Sequence, residues 1–203
     1  KRRNAILRED CLRRQLDRCM LTHTHADLNV EACHILPHSL AAKTSYRNCI
    51  FWFMLAILLG ADWQRRIWQL AGGNKSYAPT NGLALGNGMH TLFDRGLFTL
   101  RPVTLGCSDA SRIVDVQLNW KTRTHTATSV TMLPGELDAQ LSGDTRYRYN
   151  PLTDPRSIRN GDRFRLFTND PEKLPLPSPV LLELHAALWA LIGAVGLTET
   201  NKQ

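Results

Sequence analysis

The chain has 203 residues, a length that allows one large domain or two small ones. Apolar residues make up 43% and charged residues 21%, which excludes collagen-like, coiled-coil and wholly disordered chains and leaves enough apolar surface for a core. Lysine and arginine number 25 against 18 acidic residues, a formal net charge of +7. This charge favours a polyanionic partner, nucleic acid before an anionic membrane, although a merely soluble basic domain also fits it.

The five cysteines are odd in number, scattered, and include no C-x-x-C pair. Such a pattern argues against a disulfide framework and against a four-cysteine zinc site, and it favours a reducing compartment. We therefore expect an intracellular protein, in the nucleus rather than the cytoplasm. The chain starts at Lys1 rather than Met, which leaves secretion open.

The first predicted element is an amphipathic helix over residues 3–17 with a basic polar face. Residues 1–18 carry seven Lys/Arg against three acidic residues, a local charge of +4. Arg13 and Arg14 are therefore candidate contacts for a phosphate backbone. The alternative is an ordinary solvated helix face.

Two short strands are predicted next, over 19–22 and 28–35, joined by a polar loop over 23–27. A long helix or helix pair follows over about 40–71 and ends at Gly72-Gly73. Its segment Cys49–Leu59 has eleven apolar or uncharged residues, well short of the ~20 that cross a bilayer. Because its apolar residues recur at helical spacing, we expect a buried core helix rather than a membrane element.

The next helix is predicted over 89–94, with Asn87 as its N-cap and Gly96 as its stop, and a strand over 97–100 leaves it. In the second half we predict three strands and a closing helix, over 112–120, 122–132, 163–167 and 180–197. No strong linker precedes residue 103. We therefore expect a single domain over 1–203, with a core at about 19–100 and a C-terminal elaboration at about 103–203.

Four residues in three separate segments suggest hydrolytic chemistry. His90 and Asp94 are four apart and share one helix face, where an imidazole and a carboxylate can hold one cation with open positions for water and substrate. His34 ends a predicted strand just before a proline turn, where it can project into a cleft. Phosphodiester hydrolysis needs a base, a cation and a group that fixes the base, and Asn81 completes that set.

These segments, with a fourth, resemble the HNH endonuclease family. The matching stretches are Cys19-Met-Leu-Thr22, Cys33-His-Ile-Leu-Pro-His-Ser39, Asn81-Gly-Leu-Ala-Leu85 and His90-Thr-Leu-Phe-Asp-Arg-Gly96. The order C-x-[LIV]-T, H-I-x-P-x-S, N-G-L-x-L and H-x-x-F-D-x-G is that of one branch of the family. The apolar insert between the second and third stretches is similar to that of its fungal members.

The resemblance implies an α+β fold with a ββα-metal core, here with an inserted apolar helix, a basic N-terminal helix, a β-rich C-terminal elaboration and a closing C-terminal helix. It also implies that His34 is the general base, that Asn81 orients the base loop, and that His90 and Asp94 bind one divalent cation. Mg²⁺ or Mn²⁺ is the expected ion.

The residue before the base departs from the family pattern. Better-understood members have Asp or His there as a further ligand, and this chain has Cys33. A thiolate is a soft donor that suits Zn²⁺ and suits Mg²⁺ badly, so Zn²⁺ enters as an alternative ion if Cys33 is a ligand. The other interpretation is a packed, buried thiol.

A second basic segment combines Arg146 and Arg148 with two tyrosines. Guanidinium and aromatic groups interleaved in this way can pair with phosphates and stack on bases. The alternative is an edge strand protected by its charges.

From these features the sequence predicts a metal-dependent HNH endonuclease that hydrolyses DNA phosphodiester bonds, with RNA not excluded as substrate and no membrane role. The rival hypothesis is an HNH-fold DNA-binding or interaction module without useful turnover, and a structural zinc protein is a third. The sequence predicts no particular oligomeric state.

Overall fold

The computed structural model describes residues 2–41, 46–103, 111–121 and 158–194. Within these ranges the helices are α1 (Arg2–Arg14), α2 (His38–Ala41), α3 (Tyr46–Leu59), α4 (Ala61–Ala71), α5 (Asn87–Asp94) and α6 (Pro179–Ala194). The strands are β1 (Val30–His34), β2 (Gly82–Gly86), β3 (Phe98–Val103), β4 (Ile113–Trp120) and β5 (Arg163–Phe167). The fold is α+β, as the sequence predicts.

The first sheet joins two strands that are far apart in the sequence. β1 pairs antiparallel with β2, and the register runs from Val30 opposite Gly86 to His34 opposite Gly82. The segment predicted as a strand over 19–22 is therefore not the partner of β1. The partner of β1 is the apolar run Leu83-Ala-Leu85, which supplies three buried residues.

The segment at 19–22 forms a tight turn rather than a strand. Cys19 closes it, because its N–H donates to the carbonyl of Thr24 and its own carbonyl accepts from the N–H of His23. His23 has a φ of 55°, in the left-handed region. The turn still contacts the sheet, since the N–H of Met20 donates to the carbonyl of Ala84 in β2.

Helix α5 follows β2 directly and packs against both strands of the pair. Its N-cap is Gly86 and not Asn87, which is already its first helical residue. Gly96 ends it as predicted, with a φ of 65° that favours glycine. A Cβ on Gly96 would also overlap the indole of Trp189 in α6, so this position needs glycine for two reasons.

The second sheet has the order β3-β4-β5 with antiparallel pairing throughout. One face of it carries Phe98, Leu100, Val116, Leu118 and Leu166, all buried, and α6 packs on β3. The strands predicted at 97–100, 112–120 and 163–167 and the closing helix are confirmed. The strand predicted at 122–132 lies outside the described residues.

Helix α1 packs across the first sheet. Leu7 and Cys11 are buried above Gly82, where an added Cβ would lie 2.5 Å from the sulfur of Cys11. The helix therefore sits directly on the start of β2. This close approach fixes β2 and the turn that precedes it.

Helices α3 and α4 form the predicted helix pair, with Gly60 between them. Trp52 and Leu55 of α3 are buried, and the ring of Trp52 meets that of Trp68 in α4 at 4.8 Å. The other side of α3 is exposed at Ile50, Phe53, Met54, Ile57 and Leu58. The prediction of a buried core helix is thus wrong, because only one side of α3 finds a partner among the described residues. No helix in the described ranges is both long and apolar enough to span a bilayer.

Candidate metal centre

His34 stands at the end of β1, where the chain leaves the sheet. Its ring is half-buried, with Tyr77 edge-on at 5.8 Å and His38 at 6.5 Å between ring centroids. Its Nε2 is buried and has no hydrogen-bond partner among the described residues. One imidazole nitrogen of His34 therefore has its hydrogen-bonding capacity unused by the described residues.

Asn81 holds the loop that follows His34. Its side chain is fully buried, its Oδ1 accepts from the N–H of Leu36 at 2.8 Å, and its Nδ2 donates to the carbonyls of Leu36 at 3.0 Å and Ser76 at 2.9 Å. The backbone carbonyl of Asn81 also accepts from the N–H of Ile35 at 2.9 Å. These hydrogen bonds tie the loop after His34 to the segment 76–81.

Three potential metal-ligating residues converge beside His34. One donor atom from each of Cys33, His90 and Asp94 lies within 4.8 Å of the others. The thiol of Cys33 points to Oδ1 of Asp94 at 3.6 Å, and Nε2 of His90 lies 3.2 Å from Oδ2 of Asp94. The structure thus brings together all three residues that the sequence nominated for the metal.

Glu31 is a functional candidate that sequence reasoning missed. Its Oε2 lies 2.9 Å from Nδ1 of His90, so the ring of His90 is held between two carboxylates with its Nε2 turned to the cluster. A carboxylate on the far nitrogen of a ligating histidine commonly fixes the ring and raises its basicity. Strand alternation was the available signal, because residues two apart in a strand share a face and Cys33 follows Glu31 by two.

The electrostatics of the cluster follow from burial and from these contacts. Burial lowers the pKa of His34, and nearby His38 adds to the effect, so the base candidate is neutral at neutral pH. The hydrogen bond to Asp94 raises the pKa of His90 against the desolvation that opposes it, with Glu31 adding to the rise. Desolvation acts to raise the pKa of Asp94, but the hydrogen bond from His90 brings it below its usual value.

Cys33 is fully buried, and burial raises the pKa of its thiol well above its usual value, with the carboxylate of Asp94 adding to the rise. As a metal ligand it must lose its proton, so binding a cation through Cys33 releases one.

The donor set fits a small divalent cation. Tetrahedral bonds of ~2.0–2.3 Å hold ligand atoms roughly 3.3–3.8 Å apart. Sγ of Cys33 lies 3.6 Å from Oδ1 of Asp94 and Nε2 of His90 lies 3.2 Å from Oδ2 of Asp94, both close to that spacing, and one donor atom from each residue lies within 4.8 Å of the other two. Three protein ligands with a fourth position for water is also the arrangement of catalytic zinc sites.

A second group of side chains, which the sequence analysis did not select, lies around the candidate base His34. His38 begins α2 and shares a hydrogen bond of 2.7 Å with the hydroxyl of Ser76. Its ring lies 4.5 Å from that of Tyr77. No sequence signal pointed to Tyr77, because its contact with His34 is made across two loops.

The two adjacent arginines of α1, Arg13 and Arg14, differ in their exposure to solvent. Arg13 is exposed and remains a candidate for phosphate contact. Arg14 is 5% exposed, and its guanidinium donates to the carbonyls of Pro79, Pro175 and Gly82 at 2.7–2.8 Å. The prediction that Arg14 binds DNA is therefore wrong, because its donors are used inside the protein. Arg146 and Arg148 lie outside the described residues.

An antiparallel strand pair followed by a short helix, with a histidine at the end of one strand and metal-ligating groups on the helix, defines the ββα-metal class of proteins. Residues 19–101, which are 83 of the 203, match the family model described as HNH endonuclease. The match supports the HNH endonuclease family for this part of the chain. No curated protein and no protein of solved structure matches the chain.

Proposed function

We propose that the protein is a metal-dependent endonuclease that hydrolyses phosphodiester bonds of DNA. His34 acts as the general base, and Cys33, His90 and Asp94 hold one divalent cation. The family match supports a role in nucleic-acid chemistry, and the geometry of the site supports the assignment of these roles.

One observation carries the proposal: Nε2 of His34, buried and without a hydrogen-bond partner among the described residues, adjoins a compact set of metal-ligating atoms. Both carboxylate and imidazole of that set are near enough to His34 to shift its pKa. Nδ1 of His185 is also buried without a partner among the described residues, so what distinguishes His34 is its place beside the metal-ligating set. A base must keep a lone pair free for water.

Each side chain has a defined task in the hydrolysis. Neutral His34 takes a proton from water through Nε2 as the water oxygen bonds to phosphorus and the bond from phosphorus to the leaving oxygen breaks. Asn81 keeps the ring in place by fixing Leu36, two residues on. A bound divalent cation supplies Lewis-acid stabilisation of the charge that develops on the phosphate and the leaving oxygen. Glu31 keeps His90 turned toward that cation.

The donor set bears on which cation binds. A buried thiolate favours Zn²⁺ over Mg²⁺ or Mn²⁺, whose preferred ligands are oxygens. If Cys33 does not bind, His90 and Asp94 remain as two ligands that suit Mg²⁺ or Mn²⁺ as well. We propose that Cys33 makes the site selective for Zn²⁺, with nicking in Zn²⁺ that Mg²⁺ does not match.

Plasmid nicking by three histidine variants tests the assignment of the base and the metal ligand. We expect His34→Ala to lose roughly 10²–10⁴-fold in rate, the usual contribution of a general base, while keeping its metal. His90→Ala should lose both metal and cleavage. His25→Ala, a substitution of an exposed histidine in a separate turn, serves as the matched control and should cleave normally.

Metal content of each variant is measured by mass spectrometry, and nicking is followed in Mg²⁺, Mn²⁺ and Zn²⁺ on DNA and on RNA. Full activity in His34→Ala would remove the proposed base. Full activity in His90→Ala would remove the proposed cation site.

A second candidate function is a DNA-binding module of HNH fold without turnover. The thiol at position 33 favours it, since a protonated, buried thiol is a poor ligand where an acidic residue is expected. Salt-dependent DNA binding without cleavage in any of the three cations would support this alternative.

A further inference from the structure

His38 and Ser76 form a hydrogen-bonded pair beside the base candidate His34. Nδ1 of His38 lies 2.7 Å from Oγ of Ser76, and that hydroxyl donates to the carbonyl of Gly73 at 2.8 Å. Because a serine hydroxyl has a single proton and this one is used on Gly73, its oxygen accepts from His38. Nδ1 of His38 therefore carries a proton, and in the neutral ring Nε2 is the nitrogen with a lone pair.

We propose that His38 is a second catalytic histidine, whose Nε2 accepts a hydrogen bond from the attacking water while His34 removes a proton from the same water. The proposal rests on the proposed function, because this water is the nucleophile of phosphodiester hydrolysis. The hydrogen that His38 holds stays on the water oxygen and ends on the new phosphate. His38 therefore neither gains nor loses a proton over the reaction.

The separation of the two imidazole rings suits one shared water. The ring centroids of His34 and His38 are 6.5 Å apart. Two nitrogens that each accept a hydrogen bond of ~2.8 Å from one tetrahedral water lie roughly 4.5 Å apart. Because each ring centre lies behind its nitrogen, the centroids of two rings that share a water are roughly 6–7 Å apart.

Both rings are held by the same buried support. Nδ2 of Asn81 donates to a carbonyl in the loop after His34 and to the carbonyl of Ser76, whose hydroxyl holds His38. Tyr77 closes the group, with its ring centroid 4.5 Å from that of His38 and 5.8 Å from that of His34. The spacing of the two imidazoles is thus fixed in advance, as the placement of a nucleophile requires.

Two other tasks fit His38 less well. It is not part of the metal-ligating group, which in the part of the chain that the structure describes consists of Cys33, His90 and Asp94. A contact with a phosphate oxygen needs a proton on Nε2, whereas the pairing with Ser76 accounts for a proton on Nδ1 alone. Phosphate binding therefore becomes an outcome of the test.

Two substitutions separate the tasks of the two ring nitrogens, with cleavage kinetics measured on a fluorescent DNA duplex. His38→Asn keeps an amide near the position of Nδ1, which can donate to Ser76, but removes the acceptor at Nε2. His38→Gln places its amide near the position of Nε2 and gives up the bond to Ser76. We expect His38→Asn to lower kcat by roughly 10-fold or more, the effect of one lost hydrogen bond, with KM unchanged. His38→Gln should lose clearly less.

The matched control is His25→Asn, the same substitution at an exposed histidine in a separate turn, and it should cleave as the unchanged protein does. Thermal unfolding by circular dichroism shows whether each variant is folded. A structural His38 predicts the reverse order, with His38→Gln losing more than His38→Asn, and that order would overturn the proposal. A higher KM with unchanged kcat in His38→Asn would assign His38 to phosphate binding and overturn it as well.

The unchanged protein separates this proposal from the proposed function. No cleavage by it in Mg²⁺, Mn²⁺ or Zn²⁺ would remove the proposed function and this inference together, whereas full cleavage by His38→Asn would remove this inference alone. Nitrogen NMR of the histidine-labelled protein gives a readout that does not depend on cleavage. We expect the proton of neutral His38 on Nδ1, and a proton on Nε2 instead would contradict the assigned acceptor.

Discussion

The candidate site contains residues that hold it in place, here called the supports, and residues that carry reactive groups. The two sets differ in how many of their polar atoms are hydrogen-bonded. The supports are Asn81 and Arg14, both buried, whose side chains donate to five backbone carbonyls and accept one backbone N–H between them. The reactive groups are His34, Cys33, His90 and Asp94. In the part of the chain that the structure describes, Nε2 of His34 has no hydrogen-bond partner, and one donor atom from each of the other three lies within 4.8 Å of the others.

The cost of each arrangement explains the contrast. A buried polar group that loses its partner destabilises the fold by about 1–3 kcal/mol, so the supports pair most of their polar atoms, with Nε of Arg14 as the exception among the described residues. Reactive groups are useful only if they keep pairing capacity for substrate and cation. The comparison indicates that the stability of the site comes from Arg14 and Asn81 and that its chemistry comes from β1 and α5.

The largest expected effect comes from breaking a support. Arg14→Ala leaves the carbonyls of Pro79, Gly82 and Pro175 without their donor, and we expect a loss of about 3–5 kcal/mol in the free energy of unfolding. Arg13→Ala, one residue earlier and exposed, should change stability by less than ~0.5 kcal/mol. Denaturant titration measures both. Equal effects of the two substitutions would show that Arg14 is not a support.

A medium effect on stability is expected at low pH, when His185 behind α5 takes up a proton. His185 is buried, its ring stacks on Phe93 at 3.9 Å, and its Nε2 accepts from the indole N–H of Trp189. Burial lowers its pKa to about 4, below the ~6.5 of an unfolded histidine. Above pH ~6.5 both states are neutral. Below it the unfolded chain takes the proton first, so stability falls until the pH reaches the folded pKa.

The shift of His185 corresponds to about 3 kcal/mol lost between pH ~6.5 and 4. Denaturant titration against pH, with chelator present so that metal does not contribute, measures this loss. His185→Phe keeps a ring against Phe93 and should show a shallower decline over the same range. An identical decline in both proteins would contradict the assignment.

The smallest expected effect on stability comes from the reactive side of the comparison. Glu31→Gln keeps the shape of the side chain but removes the charge beside Nδ1 of His90. We expect metal affinity to fall by roughly 10–100-fold, while the free energy of unfolding of the metal-free protein stays within ~0.5 kcal/mol. Calorimetric titration with Zn²⁺ and denaturant titration in chelator measure the two quantities. A large loss of stability with unchanged affinity would make Glu31 a support.

The sequence by itself determined the parts of the protein that are encoded locally. The helical spacing of His90 and Asp94, the stop at Gly96, the strands at 112–120 and 163–167 and the closing helix all follow from patterns within short windows. The family motifs around His34, Asn81 and His90 likewise predicted an HNH core, which the family match supports.

Only the tertiary structure decided which segments meet. It paired β1 with β2 across some fifty residues in place of the adjacent segment 19–22, and it buried Arg14 while leaving Arg13 exposed. It also placed Glu31 on His90 and left one side of α3 uncovered. The physical reason is that propensity and periodicity act between near neighbours, whereas strand partners, buried hydrogen bonds and covered faces depend on the packing of distant segments.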